Sequence, residues 1–238
     1  MTIRKVISNI VKSMAMAVSL VILLACVFDL QYSILIGPFL DVLLLMGLTV
    51  IGMILSIVTI PLNGSKKLYS YLPLSLIIVA FSFTAAFPKL SLGHHIHYLM
   101  NKGNLEVIEK ESTKANVYDL TDMLRYQKSL NDESLSNDLK YITKKEIENA
   151  FGGYIKKQNL NIDEIVDIQR RMIDSDIISL NRTDDYLILT VDGFVDNEYG
   201  YVKSFKKKLK VGDELPPYGF VIVRLIKFKD GWYFFYTT

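Results

Sequence analysis

The sequence predicts a chain in two parts: a membrane α-helical N-terminal part of three transmembrane helices, then a C-terminal α+β domain whose helices precede an antiparallel β-meander. Three observations carry that reading. Half of the 238 residues are hydrophobic, only 22% are charged, and the mean hydropathy of +0.26 is high for a wholly soluble globule. The long uncharged stretches lie before residue 90 and the charges after it. Beyond that break the apolar spacing is first helical and then alternating.

A bilayer core about 30 Å thick takes about 20 apolar residues in helix, because every backbone amide must be satisfied inside the segment. Residues 10–28 form the first such stretch, uncharged apart from Lys12, and 42–62 the second, with no charge. The third, 68–87, carries Tyr69 and Tyr71 at its start, where amphipathic rings favour the membrane interface. Arg4, Lys5 and Lys12 precede or open the first span, and Lys66 and Lys67 sit in the turn between the second and third. The Asp29–Asp41 loop has no basic residue. That asymmetry predicts a cytoplasmic (inner) membrane protein with its N-terminus inside and residues 89–238 outside. Leu23-Leu24-Ala25-Cys26 also resembles a bacterial lipobox, an alternative reading of the first span that leaves the later domain on the same side. Cys26 is the single cysteine, so no intramolecular disulfide forms.

Residues 89–238 hold 22 basic and 23 acidic side chains, a balance that speaks against binding nucleic acid by phosphate neutralisation. Val117, Leu120, Leu124 and Tyr126 predict a helix over 115–130. Leu139, Ile142, Ile147, Ala150 and Phe151 predict a second, opened by Ser134 or Ser136 and stopped at Gly152-Gly153. Ile165, Ile168 and Met172 predict a third over 162–173, with Asn161 as N-cap and Glu164 three residues on. Strands are expected over 185–195, 199–205, 220–229 and 232–238. Turns are expected at Asp196-Asn197-Glu198, Gly212-Asp213, Pro216-Pro217 and Asp230-Gly231. Asp-Gly between apolar runs signals a type I′ hairpin, which needs positive φ at both central residues. Helices followed by a sheet that closes on Lys229-Asp230-Gly231-Trp232-Tyr233 resemble the NTF2-like cone fold over about the last 50 residues. The resemblance implies an architecture and no particular activity.

His94, His95 and His97 lie just beyond the third stretch, and neutral imidazoles at that spacing are candidate ligands for zinc, copper or nickel. On a helix His94 and His97 share a face while His95 turns away, so a full set would need Glu106 or Glu109; the same residues also suit a polar collar beside the membrane. Lys203, Lys206, Lys207, Lys208 and Lys210 are candidates for an anionic ligand, a lipid headgroup or a polyanionic wall polymer, or else guard an edge strand. In the string 232–236, Trp232, Phe234 and Tyr236 face one way, Tyr233 and Phe235 the other. One set is expected in the core, and Trp232, Tyr233 and Phe235 are the candidate interaction residues. Asp174, Asp176, Asp184 and Asp185 lack the spacing of a calcium loop. Gly-x-Ser-x-Gly, His-Glu-x-x-His, Gly-x-x-x-x-Gly-Lys and Gly-x-Gly-x-x-Gly are all absent, so no cofactor is expected and the sequence leans away from an enzyme. The expectation is a multi-pass membrane protein presenting an extracytoplasmic binding domain, an immunity or envelope accessory factor. Its partners would be the lipid bilayer and a protein or envelope component outside the cytoplasm, with no nucleic acid. The alternative is a metal-binding envelope enzyme or sensor built on the histidines.

Overall fold

A computed structural model of the chain describes residues 3–37, 40–86, 91–118, 120, 143–157, 159–194 and 197–238. They fall into two compact units, Met1–His97 and Tyr98–Thr238.

The first unit contains α1 (Ile3–Val27), α2 (Asp29–Ile36), α3 (Leu40–Asn63), a 3-10 turn (Leu68–Ser70) and α4 (Leu72–Ala86). Two helices, α1 and α3, are long and apolar enough to cross a membrane. At 1.5 Å per residue they reach about 37 and 36 Å. The third expected span is shorter: α4 has 15 residues, about 22 Å. Pro73 is the physical reason, because its ring fixes φ and removes an N–H, so proline is accommodated in the first turn of a helix and not in its interior. Leu68–Ser70 therefore forms a separate turn before the helix starts.

Packing in this unit is inverted relative to a water-soluble core. The buried residues of α3 are Thr49, Gly52, Ser56 and Thr59, at a heptad-like spacing. Its Val42, Leu43, Met46, Val50, Ile51, Ile54 and Ile57 are exposed. Thr49 and Thr59 donate their hydroxyls to the Leu45 and Leu55 carbonyls at 2.7 and 2.8 Å, so neither needs a partner on another helix. At Gly52 side chains of the two neighbouring helices press on the α3 backbone. A Cβ there would lie 2.9 Å from Ile22 Cδ1 and 3.2 Å from both Ile77 Cδ1 and Val18 Cγ1. Ile22, Cys26, Ile77 and Ala80 form the apolar centre around it.

The second unit holds most of α5 (Leu92–Lys114), then α6 (Lys144–Lys157) and α7 (Ile162–Ile173). Six strands follow: β1 (Ser179–Arg182), β2 (Tyr186–Phe194), β3 (Asn197–Ser204), β4 (Glu214–Leu215), β5 (Phe220–Lys227) and β6 (Trp232–Thr237). The sheet is antiparallel with order β1-β2-β3-β6-β5-β4. The expected meander is thus interrupted: β1-β2-β3 run in sequence, the chain then crosses to the far edge as β4, and β5 and β6 fill the gap. Both faces of the central strands are buried. Leu187, Leu189, Tyr201 and Phe234 lie on one. Ile188, Val202, Tyr233 and Phe235 lie on the other, where Leu209, Leu215 and Ile222 complete a cluster. On the first face Tyr201 meets Phe234 edge-on at 5.0 Å, and Tyr98 from α5 stacks on Phe228 at 4.3 Å.

Several local expectations change in the folded chain. α5 is unforeseen, and it buries Tyr98, Asn101, Leu105, Ile108 and Ser112, a heptad-like stripe that two polar residues disguise. Residues 115–118 and 120 are not helical, and Leu124, Tyr126, Ser134, Ser136, Leu139 and Ile142 lie outside the described residues. Instead, Leu120 N–H bonds the Leu180 carbonyl and Arg182 N–H the Tyr118 carbonyl, which covers the outer edge of β1. Gly152-Gly153 does not stop α6, since neither glycine adopts positive φ. Asn159 does, at φ 52°, with Leu160 N–H bonded to the Ile155 carbonyl and Asn159 N–H to that of Lys156. Asn116 and Asp176 end α5 and α7 with the same paired hydrogen bonds. α7 occupies the expected range, and Asn161 caps it by accepting from Asp163 N–H at 3.0 Å. The Asp230-Gly231 turn has φ of 57° and 77°, as a type I′ hairpin requires. β3 already includes Asn197 and Glu198, which were expected in a turn.

Gly200 lies opposite the irregularity in β2 between Thr190 and Asp192. A side chain there would strike the Leu189 carbonyl and come within 2.8 Å of Thr190 Cα, both backbone atoms that cannot rotate away. Gly200→Ala is therefore expected to destabilise the domain by about 3 kcal/mol, measured by denaturant titration of the fluorescence of Trp232, the only tryptophan. A second expectation concerns pH. Burial raises the Tyr201 phenol far above its usual value, and burial followed by Asp230, Glu106 and Glu109 raises that of Tyr98. Because folding favours the protonated phenols, the stability they confer is complete below the unfolded-state value of 10.0 and is lost as pH rises beyond it. Stability should fall above pH 10, by up to about 1.4 kcal/mol per pH unit for each phenol, and Tyr201→Phe should make the fall shallower.

Candidate functional site

The crossing segment from β3 to β4 builds an open polar concavity. Leu209 is buried in the apolar cluster and pins the segment down. Lys207, Lys208 and Lys210 on either side of it remain exposed. Ser204 Oγ donates to the Lys207 carbonyl. Asp213 Oδ2 accepts from Lys210 N–H at 3.0 Å, and Gly212 N–H bonds the Ile222 carbonyl at 2.8 Å with φ of 93°. The result is an open cleft of about 540 Å³ lined by Tyr186, Lys207, Lys208, Lys210, Asp213 and Glu214. Three ammonium groups face two carboxylates, one of which is already engaged by backbone. An anionic group fits that charge balance better than a cation does.

The other two lysines of the run are not part of it. Lys206 pairs with Asp185 at 3.1 Å, and Lys203 lies 3.3 Å from Glu109 with its Nζ 5.5 Å from the Trp232 ring centroid. Lys203 thus serves the fold.

The histidines sit on α5 at its start. His94 and His97 are buried and His95 is half-buried, which replaces the solvated collar with a packed position. His94 Nδ1 is 3.5 Å from Asp29 Oδ1. His95 Nδ1 donates to the Ser91 carbonyl at 3.0 Å. Gln31 Nε2 donates to the Gly93 carbonyl at 2.8 Å, and a Cβ at Gly93 would lie 2.8 Å from Asp29 Oδ1. These contacts fasten the start of α5 to α2. Among the described residues no three His, Cys, Asp or Glu side chains are grouped to hold a metal ion.

Trp232, Tyr233 and Phe235 are each buried, at most 5% exposed. Their expected interaction surface is corrected to a double core, because β6 is an inner strand with side chains packed on both faces. Asp176 is a helix-ending residue and Asp185 an ion-pair partner. Tyr186 is the cleft residue that sequence reasoning missed: it pairs with Ser204 across the sheet, so its nearness to the lysines comes from β2–β3 register.

No family model, curated protein or solved structure matches the chain. Replacing Lys207, Lys208 and Lys210 together with Gln should weaken retention on an anionic matrix at low salt by at least tenfold while moving stability by less than about 0.5 kcal/mol, as exposed substitutions do.

Proposed function

We propose that the chain is a multi-pass membrane protein that carries its α+β domain outside the cytoplasm as a binding module, with no catalytic role. The observation that supports this most is the polarity of α3: Thr49, Gly52, Ser56 and Thr59 face inward while its large apolar side chains face outward. Roughly half exposed, each such side chain forgoes about 1 kcal/mol in water. Summed along the helix the cost is on the order of 10 kcal/mol, comparable with the whole stability of a domain. In lipid the cost vanishes, and small residues at the helix contacts are what close packing there requires.

In this reading α1 and α3 span, and α4 with its preceding 3-10 turn is a short third crossing. Lys5, Lys12, Lys66 and Lys67 stay on the cytoplasmic side by charge bias. The domain then meets a protein or an anionic envelope component, for which the Lys207, Lys208 and Lys210 cleft is the docking point, as in an immunity or envelope accessory factor.

Membranes washed with alkaline carbonate should retain the full chain. Protease added to intact spheroplasts should remove the domain, and protection of residues 98–238 while an outward-facing control is cut would refute the orientation. Gly52→Leu should cut the membrane-inserted yield several-fold, because Ile22, Ile77 and Val18 leave no room for the side chain.

A further inference from the structure

We propose that the lysine-bearing end of the helical bundle is a binding site for the headgroup of an anionic phospholipid, with Lys12 and Lys67 as its ligands and Tyr69 as its floor. The proposal rests on the membrane reading above. Lys12 Nζ lies 4.2 Å from the Tyr69 ring centroid and Lys67 Nζ lies 5.7 Å from it. One ring can hold one ammonium by its negative face. Two ammonium groups, 4.2 and 5.7 Å from the centre of one ring, concentrate positive charge around it, which an anionic group beside them offsets.

Among the described residues of the first unit no carboxylate lies at this end: Asp41 opens α3 at the opposite end from the Lys66–Lys67 turn. The only acidic residues among the first 88 are Asp29 and Asp41. Asp29 lies 17 residues beyond Lys12, just past the end of α1, about 25 Å along the helix. That distance exceeds the screening length of physiological salt.

The turn that presents Lys67 is held in place. Gly64 ends α3 at φ 96°, Ser70 Oγ donates to the Gly64 carbonyl at 3.1 Å, and Tyr71 Oη donates to the Ser65 carbonyl at 3.0 Å. At the foot of the bundle Ser8 Oγ donates to Asn63 Oδ1 at 2.9 Å, which ties α1 to α3 beside the turn. Leu68 is 89% exposed next to Lys67. An apolar side chain, a tyrosine and ammonium groups side by side match the acyl, interfacial and phosphate levels of one lipid. A free phosphate would use the ammonium groups and leave Leu68 in water.

The test is reconstitution of the full chain into vesicles of phosphatidylcholine and phosphatidylglycerol, followed by re-extraction and mass spectrometry of the retained lipid. The wild-type chain should enrich phosphatidylglycerol about tenfold, the scale expected from one to two lysines at an anionic surface. K12Q/K67Q should lose the enrichment, K12R/K67R should keep it, and both should float with the vesicles as wild type does. Equal retention of the two lipids, or enrichment that survives K12Q/K67Q, overturns the site. Enrichment abolished by millimolar inorganic phosphate overturns the lipid assignment in favour of a free anion. A wild-type chain that does not float overturns the membrane reading instead.

Discussion

The bundle depends on the approach of side chains from two helices to the bare backbone of a third at Gly52. With no Cβ at that position, the tips of Ile22, Ile77 and Val18 reach the α3 backbone, and every neighbouring contact follows from that distance. Closeness lets Ser8 reach Asn63 one way along the helices and brings Cys26 against Ala80 the other way. A bulky residue here would separate the helices, and apolar bulk elsewhere on α3 could not compensate because it points outward. In water the hydrophobic effect would draw that bulk inward and turn the helix over. In an apolar surrounding, by contrast, small residues at the contacts are what lets helix backbones approach closely.

The second unit obeys the opposite rule. Its sheet is buried on both faces, and the chain accomplishes this without a second sheet: Leu209 and Leu215 fold over Ile188, Val202, Tyr233 and Phe235. The same excursion that closes the core therefore lifts Lys207, Lys208 and Lys210 around the cleft. Alternation decides the outcome for Lys208 and Lys210, since the immediate neighbours of a buried leucine in an extended segment point away from the core, while Lys207 sits in the bend that precedes it. The cleft is a consequence of covering the sheet, and its charge depends on which residues occupy the outward positions.

How much of this the sequence discloses depends on whether the signal is local. Asp230-Gly231 and Asn161 act through their own backbone, and the type I′ turn and the cap appear where read. Uncharged length revealed α1 and α3, whereas Pro73 inside the third stretch outweighed its hydropathy. The end of α6 was misjudged because glycine is not the only residue that can end a helix. Asn116, Asn159 and Asp176 take the left-handed conformation that a reader assigns to glycine, while Gly152 and Gly153 stay helical. Asparagine and aspartate tolerate that region because their side chains bond locally. α5 escaped notice because Asn101 and Ser112 occupy core positions, where an amphipathic pattern calls for apolar residues.

The candidate sites divide along the same line. Adjacent residues in sequence gave three plausible clusters, and packing separated their members. The histidines were drawn into contacts with Asp29 and the Ser91 carbonyl, the aromatics into two cores, and the lysines into an ion pair at Glu109, another at Asp185 and a cleft. Lys207, Lys208 and Lys210 stay exposed around the cleft. Lys12 and Lys67, 55 residues apart in number, meet at one ring for the reverse reason: helix packing assembles what the sequence separates. A functional group is legible from spacing when one element presents all of it, and it emerges only in the fold when two elements must meet, which is why the bundle's cationic end was read as a topology signal before it could be read as a site.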